Sequence, residues 1–333
     1  MASLENPVYT VYIVASGTKY NVSGAVVSLK FTDQKAQFSK SVRIELANAK
    51  VGNMRLTSLI RVRDRVYIYA DDGEKSDEVW RGFVWTRNYK SSLASRNFDL
   101  KCYDNLIFMQ ESEESKFFES GKSTKSIVSS LCSDWGVSLQ YNYESITHAK
   151  LALRGGLSDI ITDDVLNLVK DRTGKKYVII SEKDVMYING VGKNSTVYTI
   201  KAGNNAVQTA SECTMDGMTT KVVILGKADD DDRRPVEATV SGNTSKYGTL
   251  QKLIDRDENT ELADAKKEAQ SIIDEDGEPK WEYEISAPDI PWIRKGDKVN
   301  VSAGDLTKSY IVIGVDRDIS LKEKRMLLTL ENV

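Results

Sequence analysis

The sequence predicts an α+β chain, mainly β, in which two β-modules flank a small α+β domain. Three observations carry this. Apolar and polar residues alternate with period two through both ends of the chain. Helical spacing is confined to the middle and to one segment near residue 260. The two ends also share a weak repeat that keeps its order over about forty residues.

Residues 1–105 form the first β-module. Tyr9, Val11 and Ile13 alternate with Thr10, Tyr12 and Val14. Val27, Leu29 and Phe31 share one face of a second strand, and Val42, Ile44 and Leu46 share one face of a third. Next come Arg61-Val62-Arg63-Asp64-Arg65-Val66-Tyr67-Ile68, the acidic turn Asp71-Asp72-Gly73 and the strand Trp80-Arg81-Gly82-Phe83-Val84-Trp85. Phe98, Leu100 and Cys102 then alternate in a last strand. Short strands with turns at this spacing predict a barrel or sandwich.

Residues 106–195 form the α+β domain. Ser123 or Thr124 caps a helix whose apolar stripe is Ile127, Val128, Leu131, Cys132 and Trp135, and Gly136 ends it. A second helix starts at Leu157-Ser158-Asp159, carries Ile160, Ile161, Val165, Leu166 and Val169, and stops at Gly174. Lys176–Ile180 and Val185–Ile188 form a hairpin with Ser181–Asp184 as its loop.

Residues 196–333 form the second β-module, with one helix. Val197–Ile200, Lys221–Gly226 and Val236–Val240 read as strands, and Thr260 opens a helix running to about Asp274. Trp281, Tyr283 and Ile285 alternate in the next strand. Pro291-Trp292-Ile293-Arg294-Lys295-Gly296-Asp297-Lys298-Val299-Asn300-Val301 then reads as a turn and a strand. This stretch echoes the first module. Superposing Asp64 on Asp297 places Arg61 on Arg294, Arg65 on Lys298, Val66 on Val299 and Ile68 on Val301. The turn Ala303-Gly304-Asp305, the strand Ser309–Val315, and Met326, Leu328 and Leu330 complete the copy. Arg63 stands where Gly296 does, which predicts a locally different turn.

Composition bounds function. The chain has 333 residues, more than one core usually serves. Lys plus Arg is 46 and Asp plus Glu 49, a net charge of −3. That argues against specific nucleic-acid binding through a bulk positive field. No run approaches eighteen apolar residues, so no membrane insertion is expected. The first seven residues lack a basic region and an apolar core, so no signal peptide is expected. Cys102, Cys132 and Cys213 are far apart and read as buried thiols made in a reducing cytoplasm. Asn21, Asn194 and Asn243 head Asn-x-Ser/Thr triplets, read as coincidence without a secretion signal.

No catalytic kit is evident, and neither a cofactor nor a metal is expected. His148 is the only histidine, which removes histidine-based triads and paired-histidine metal sites within one chain. It reads as a surface residue. Gly121-Lys122-Ser123 lacks the earlier glycine of a phosphate loop, since Lys116 holds that place. Asp229–Asp232 lacks EF-hand spacing and reads as a solvated hairpin tip. Trp80, Trp85, Trp281 and Trp292 sit on or beside strands, where core filling is the first reading and subunit contact the second.

Two β-modules around an insert, with no chemistry between them, point to assembly. At this point the sequence resembles the hub proteins of contractile phage-tail baseplates: XkdQ-like prophage tail proteins, related to the late control D proteins and the N-terminal part of VgrG spikes. The matching residues are Ile290–Val299, Tyr247-Gly248 with the helix around Ala263–Ala269, and Met218–Val222 ahead of Gly226. Arg61, Asp64 and the Gly82-x-Val84 strand match in the first module. The resemblance spans essentially the whole chain and implies two tail-tube-like β-barrel modules. It further implies a homotrimer whose six modules form a pseudo-sixfold ring. That ring would be a symmetry adaptor joining the sixfold tail tube protein to the threefold spike protein, among other baseplate proteins. A phage virion and a phage-tail-like bacteriocin or other contractile injection particle both fit. The competing readings are a tail-associated peptidoglycan hydrolase and a cell-wall-binding module on residues 106–195.

Overall fold

A computed structural model describes residues 7–35, 37–89, 97–228, 233–256 and 260–333. Among these, one mainly antiparallel sheet of thirteen strands runs through the molecule. From one edge its order is Gln208–Thr214, Lys280–Pro288, Lys324–Asn332, Ser309–Ser320, Val26–Asp33 and Ser41–Ala47. It continues through Asn97–Tyr103, Ser76–Tyr89, Arg65–Asp71, Val8–Ala15 and Thr18–Asn21. Lys298–Ser302 also pairs with Ser309–Ser320, and Tyr198–Lys201 pairs with it in turn.

Two five-strand runs lie within this order. One is Val26–Asp33, Ser41–Ala47, Asn97–Tyr103, Ser76–Tyr89 and Arg65–Asp71. The other is Gln208–Thr214, Lys280–Pro288, Lys324–Asn332, Ser309–Ser320 and Lys298–Ser302. All neighbours in both are antiparallel. Each long strand carries a one-residue slip against its neighbour, between Val84 and Thr86 in one and between Val312 and Gly314 in the other. Such bulges bend a strand and raise its twist. The runs differ at the sixth strand, where Val8–Ala15 pairs antiparallel and Tyr198–Lys201 parallel.

The alternation read from sequence accounts for the packing. Val11, Ile13, Val42, Ile44, Leu46, Phe98, Leu100 and Cys102 fill one core. Ile285, Val299, Val301, Met326, Leu328 and Leu330 fill another. Each such side chain contributes about 1.5–3 kcal/mol by leaving water. Ile319, from the far end of the chain, packs into the first core.

The middle region has its own core. The helix Thr124–Asp134 starts with the Ser123 hydroxyl accepting the Ser126 N–H at 3.2 Å. The second helix, from Leu157 to Thr173, is widened over Ile160–Leu166, where the Asn167 N–H donates to Thr162 O five residues back. Gly136 and Gly174 end the two helices with φ of 64° and 66°. The expected four-residue hairpin loop contracts to two residues: the strands are Tyr177–Glu182 and Val185–Gly190, and Lys183 and Asp184 take φ of 51° and 67°. That is the tight turn that fits strand twist.

His148 is buried, not on the surface. Its segment folds back over the first helix, with Nε2 2.8 Å from Thr124 Oγ1 and its N–H donating to Lys122 O. Burial lowers its pKa, with Arg172 adding to the effect. Cys213 is exposed on the outermost strand, whereas Cys102 and Cys132 are buried. Residues 196–333 hold a second small core, in which the helix Leu262–Asp276 packs Ala265, Ala269, Ile272 and Ile273 on Val222 and Ile224. The Asp229–Asp232 run lies outside the described residues.

Candidate functional site

The candidate site is the pair of Arg-x-x-Asp turns and the polar junction around them. In the first turn the Asp64 carboxylate accepts the Arg61 N–H at 2.8 Å; in the second the Asp297 carboxylate accepts the Arg294 N–H at 2.9 Å. The Arg63 N–H donates to Val84 O and the Gly296 N–H to Val312 O, both at 2.7 Å. The Val84 N–H returns to Asp64 O at 2.9 Å, and the Val312 N–H to Asp297 O at 2.8 Å. Each aspartate thus closes its own turn and locks it to the long strand.

The expected difference at Arg63 does not occur. Arg63 has φ 77° and Gly296 φ 90°, so both are left-handed. Arg63 bears that conformation with its guanidinium over Phe83 and Phe108, 4.4 and 4.3 Å from the ring centroids. Gly296 has a second constraint: a Cβ there would sit 2.5 Å from Val178 Cγ1. Val66 and Val299 are fully buried beyond the turns. Gly82 lets the long strand pass the neighbouring backbone, since a Cβ would meet Tyr103 O at 2.1 Å.

Around the second turn the chain's parts converge on buried charge. Lys295 pairs with Asp33 at 2.8 Å, both nearly buried, and also donates to Gln34 O at 3.1 Å and Gln37 O at 2.9 Å. Arg317 pairs with Asp289 at 2.8 Å and donates to Ile293 O at 2.5 Å, while the Tyr9 hydroxyl donates to Asp289. Arg294 reaches Glu182 of the middle region at 2.5 Å. Arg65 and Arg81 both pair with Asp184 at the hairpin tip, Arg81 at 3.2 Å. Burial pushes Asp297 up to about 6 and Asp104 up to about 6. Burying both charges costs desolvation, which their mutual attraction and the added hydrogen bonds must offset.

The tryptophans divide. Trp80 is 4% exposed and fills the first core. Trp292 is partly buried; its Nε1 donates to Asp72 at 2.5 Å and Lys75 lies over its ring. Trp85 and Trp281 are 37% and 48% exposed. Asp33, Arg317 and Asp289 were not singled out from sequence, and Lys295 only as part of the turn. The parity of Arg317, between Val315 and Ile319 on one strand, was the available signal that it points inward. Among the described residues, no three of His, Cys, Asp and Glu could together hold a metal ion. No helix there is long and apolar enough to cross a membrane.

A family model described as YQBQ-like matches residues 29–331. The chain belongs to the YQBQ-like family. No curated protein matches this YQBQ-like chain. Its fold is shared with a tail protein from Neisseria meningitidis MC58, at 14% identity and TM-score 0.72, over 97% of this chain and 96% of that one. It is also shared with the 43 kDa tail protein of prophage MuSo2 from Shewanella oneidensis, at 13% identity and TM-score 0.70, over 98% of each. An E. coli component of the type VI secretion system, described as similar to T4 bacteriophage tail proteins gp27 and gp5, matches at 8% identity and TM-score 0.57. It covers 93% of this chain and 74% of that one. The resemblance read from sequence therefore holds at the level of family and fold.

Proposed function

We propose that this YQBQ-like chain is the structural hub of a tail-type baseplate. Three copies present six β-modules, residues 1–105 and 196–333 of each, around one channel. Residues 106–195 form the insert between them. The ring joins a sixfold tail tube protein to a threefold spike protein, within a virion or phage-tail-like particle.

The observation that carries this reading is the pair of five-strand runs in one chain, closed by the same aspartate-locked turn, within a fold shared with tail proteins. Two similar units in one chain offer alternating head-to-tail surfaces, and head-to-tail contacts with the right rotation close into a ring. A ring of six such units that stacks on a sixfold tube needs three chains. The units are unequal, as their sixth strands show, which suits a part whose faces meet different symmetries.

Cryo-electron microscopy of the chain co-expressed with its spike tests this. Three copies with modules around a central axis are expected; another stoichiometry, or modules off the axis, overturns the reading. The role needs no turnover. Cell-wall lysis by purified protein, abolished by one carboxylate substitution, would replace it with the hydrolase reading.

A further inference from the structure

One joint between the two strand runs lies inside the chain. Val315–Ser320, the far half of the second run's long strand, pairs antiparallel with Ser28–Asp33, the outer strand of the first run. Val315 faces Asp33, Arg317 faces Phe31 and Ile319 faces Leu29. Each run therefore has a half-strand that gives a joint and an outer edge that takes one. Only one of each is used within the chain. The first run's half-strand, beyond Phe83, and the second run's outer edge, Gln208–Thr214, have no such partner among the described residues.

Shared pairings fix which residues correspond. Leu100 faces Arg87 as Leu328 faces Val315. Arg87 thus matches Val315, and Tyr89 matches Arg317. Across the run, Leu100 faces Ile44, which faces Leu29; Leu328 faces Ile285, which faces Thr209. Thr209 thus matches Leu29, Ser211 matches Phe31 and Cys213 matches Asp33.

We infer that the edge Gln208–Thr214 takes Arg87–Tyr89 of a second copy of this chain as an antiparallel strand. Arg87 then faces Cys213, Asn88 faces Glu212 and Tyr89 faces Ser211. The inference rests on the head-to-tail assembly proposed above and supplies its second joint.

Two observations favour this occupant. First, the edge carries little of the usual protection, with Glu212 as its one charge. Gln208-Thr209-Ala210-Ser211-Glu212-Cys213-Thr214 has no lysine and no proline, the residues by which natural edges avoid pairing. Second, exposed groups collect on the face a neighbour would cover. Arg317, which lies in the internal joint opposite Phe31, is 5% exposed, while its counterpart Tyr89 is 47% exposed. Trp281, directly opposite Cys213, is 48% exposed. In the joint Arg87, Cys213 and Trp281 form one row. Arg87 and Trp281 are then two strand spacings apart, about 9.5 Å; the guanidinium, which within the chain donates to Ile60 O at 2.8 Å, exchanges that carbonyl for the indole face across the small thiol.

The joint is tested by disulfide trapping in the full-length chain. Cys213 is the natural partner, and Cys102 and Cys132 are buried. Facing residues in an antiparallel pair have Cα atoms within disulfide range. Arg87→Cys is oxidised across a concentration range, with light scattering run in parallel, and linkage is mapped by mass spectrometry. Asn88→Cys, whose side chain points to the other face, is the register control. The expected result is an inter-chain bond to Cys213 with Arg87→Cys, and at least tenfold less with Asn88→Cys. A closed three-chain product supports the joint and the trimer together. Register-specific linkage in another stoichiometry keeps the joint and overturns the three-chain reading. An assembled trimer without linkage, equal linkage by both variants, or a chain that stays monomeric and unlinked throughout overturns the joint.

Discussion

Arg63 and Gly296 hold the same left-handed backbone, at φ 77° and φ 90°, and each donates its N–H to the facing long strand at 2.7 Å. One turn is thus made from two very different residues. An L side chain in this region costs about 1–2 kcal/mol. Arg63 recovers part of that over Phe83 and Phe108, at about 0.5–1 kcal/mol for an exposed cation on a ring.

The two positions should respond unequally to exchange. Arg63→Gly removes strain and ring contacts of similar size, so its stability should stay within about 1 kcal/mol of the parent. Gly296→Ala adds left-handed strain and drives a Cβ into Val178, so it should lose about 2–4 kcal/mol. Urea unfolding of both variants checks this.

Gly82→Ala should destabilise by at least the usual overpacking cost, about 1–3 kcal/mol. The atom a Cβ would meet is the Tyr103 carbonyl oxygen, which belongs to the paired neighbour strand and cannot swing aside. The unfolding midpoint and the near-ultraviolet signal of Trp80, whose ring also lies against Gly82, report the outcome.

Asp297 should make stability fall as pH rises between about 4 and 6. Burial raises its folded pKa from the ordinary aspartate value of 3.8 to about 6. In that window the folded chain holds a proton that the unfolded chain has lost. The group's contribution is therefore full below the unfolded pKa and is lost as pH rises through the folded one, by up to about 1.4 kcal/mol per pH unit. Asn can still accept the Arg294 N–H, so Asp297→Asn should flatten this slope while keeping the turn. Denaturation of parent and variant at a series of pH values measures the difference.

Lys295→Met should cost about 3–5 kcal/mol, because it leaves the Asp33 carboxylate buried without its partner. Adding Asp33→Asn should recover part of that loss, giving a coupling energy of about 0.5–3 kcal/mol. Additive losses in the double-mutant cycle would show that the pair does not act as a unit.

The sequence by itself determined the alternating apolar strands and their faces, but not Glu113–Phe118, Ser138–Asn142 or Gln208–Thr214, which carry too few apolar residues to show a period. Period-two alternation fixes which side chains point inward wherever one face is buried, and Val42, Ile44, Leu46 and Met326, Leu328, Leu330 all went where alternation sends them. It also located both aspartate-closed turns, because an aspartate accepting an N–H three residues back is a local interaction. What it could not decide depends on partners far apart in the chain. The left-handed φ of Arg63 is imposed by the Val84 strand and two phenylalanines. His148 is buried by a segment folding onto a helix start. Lys295 meets Asp33 across 262 positions, a pairing no local pattern encodes. The joint of Val315–Ser320 with Ser28–Asp33 is likewise a choice between compatible edges. Strand edges carry little sequence information because their hydrogen bonds are made by the backbone, which every residue shares.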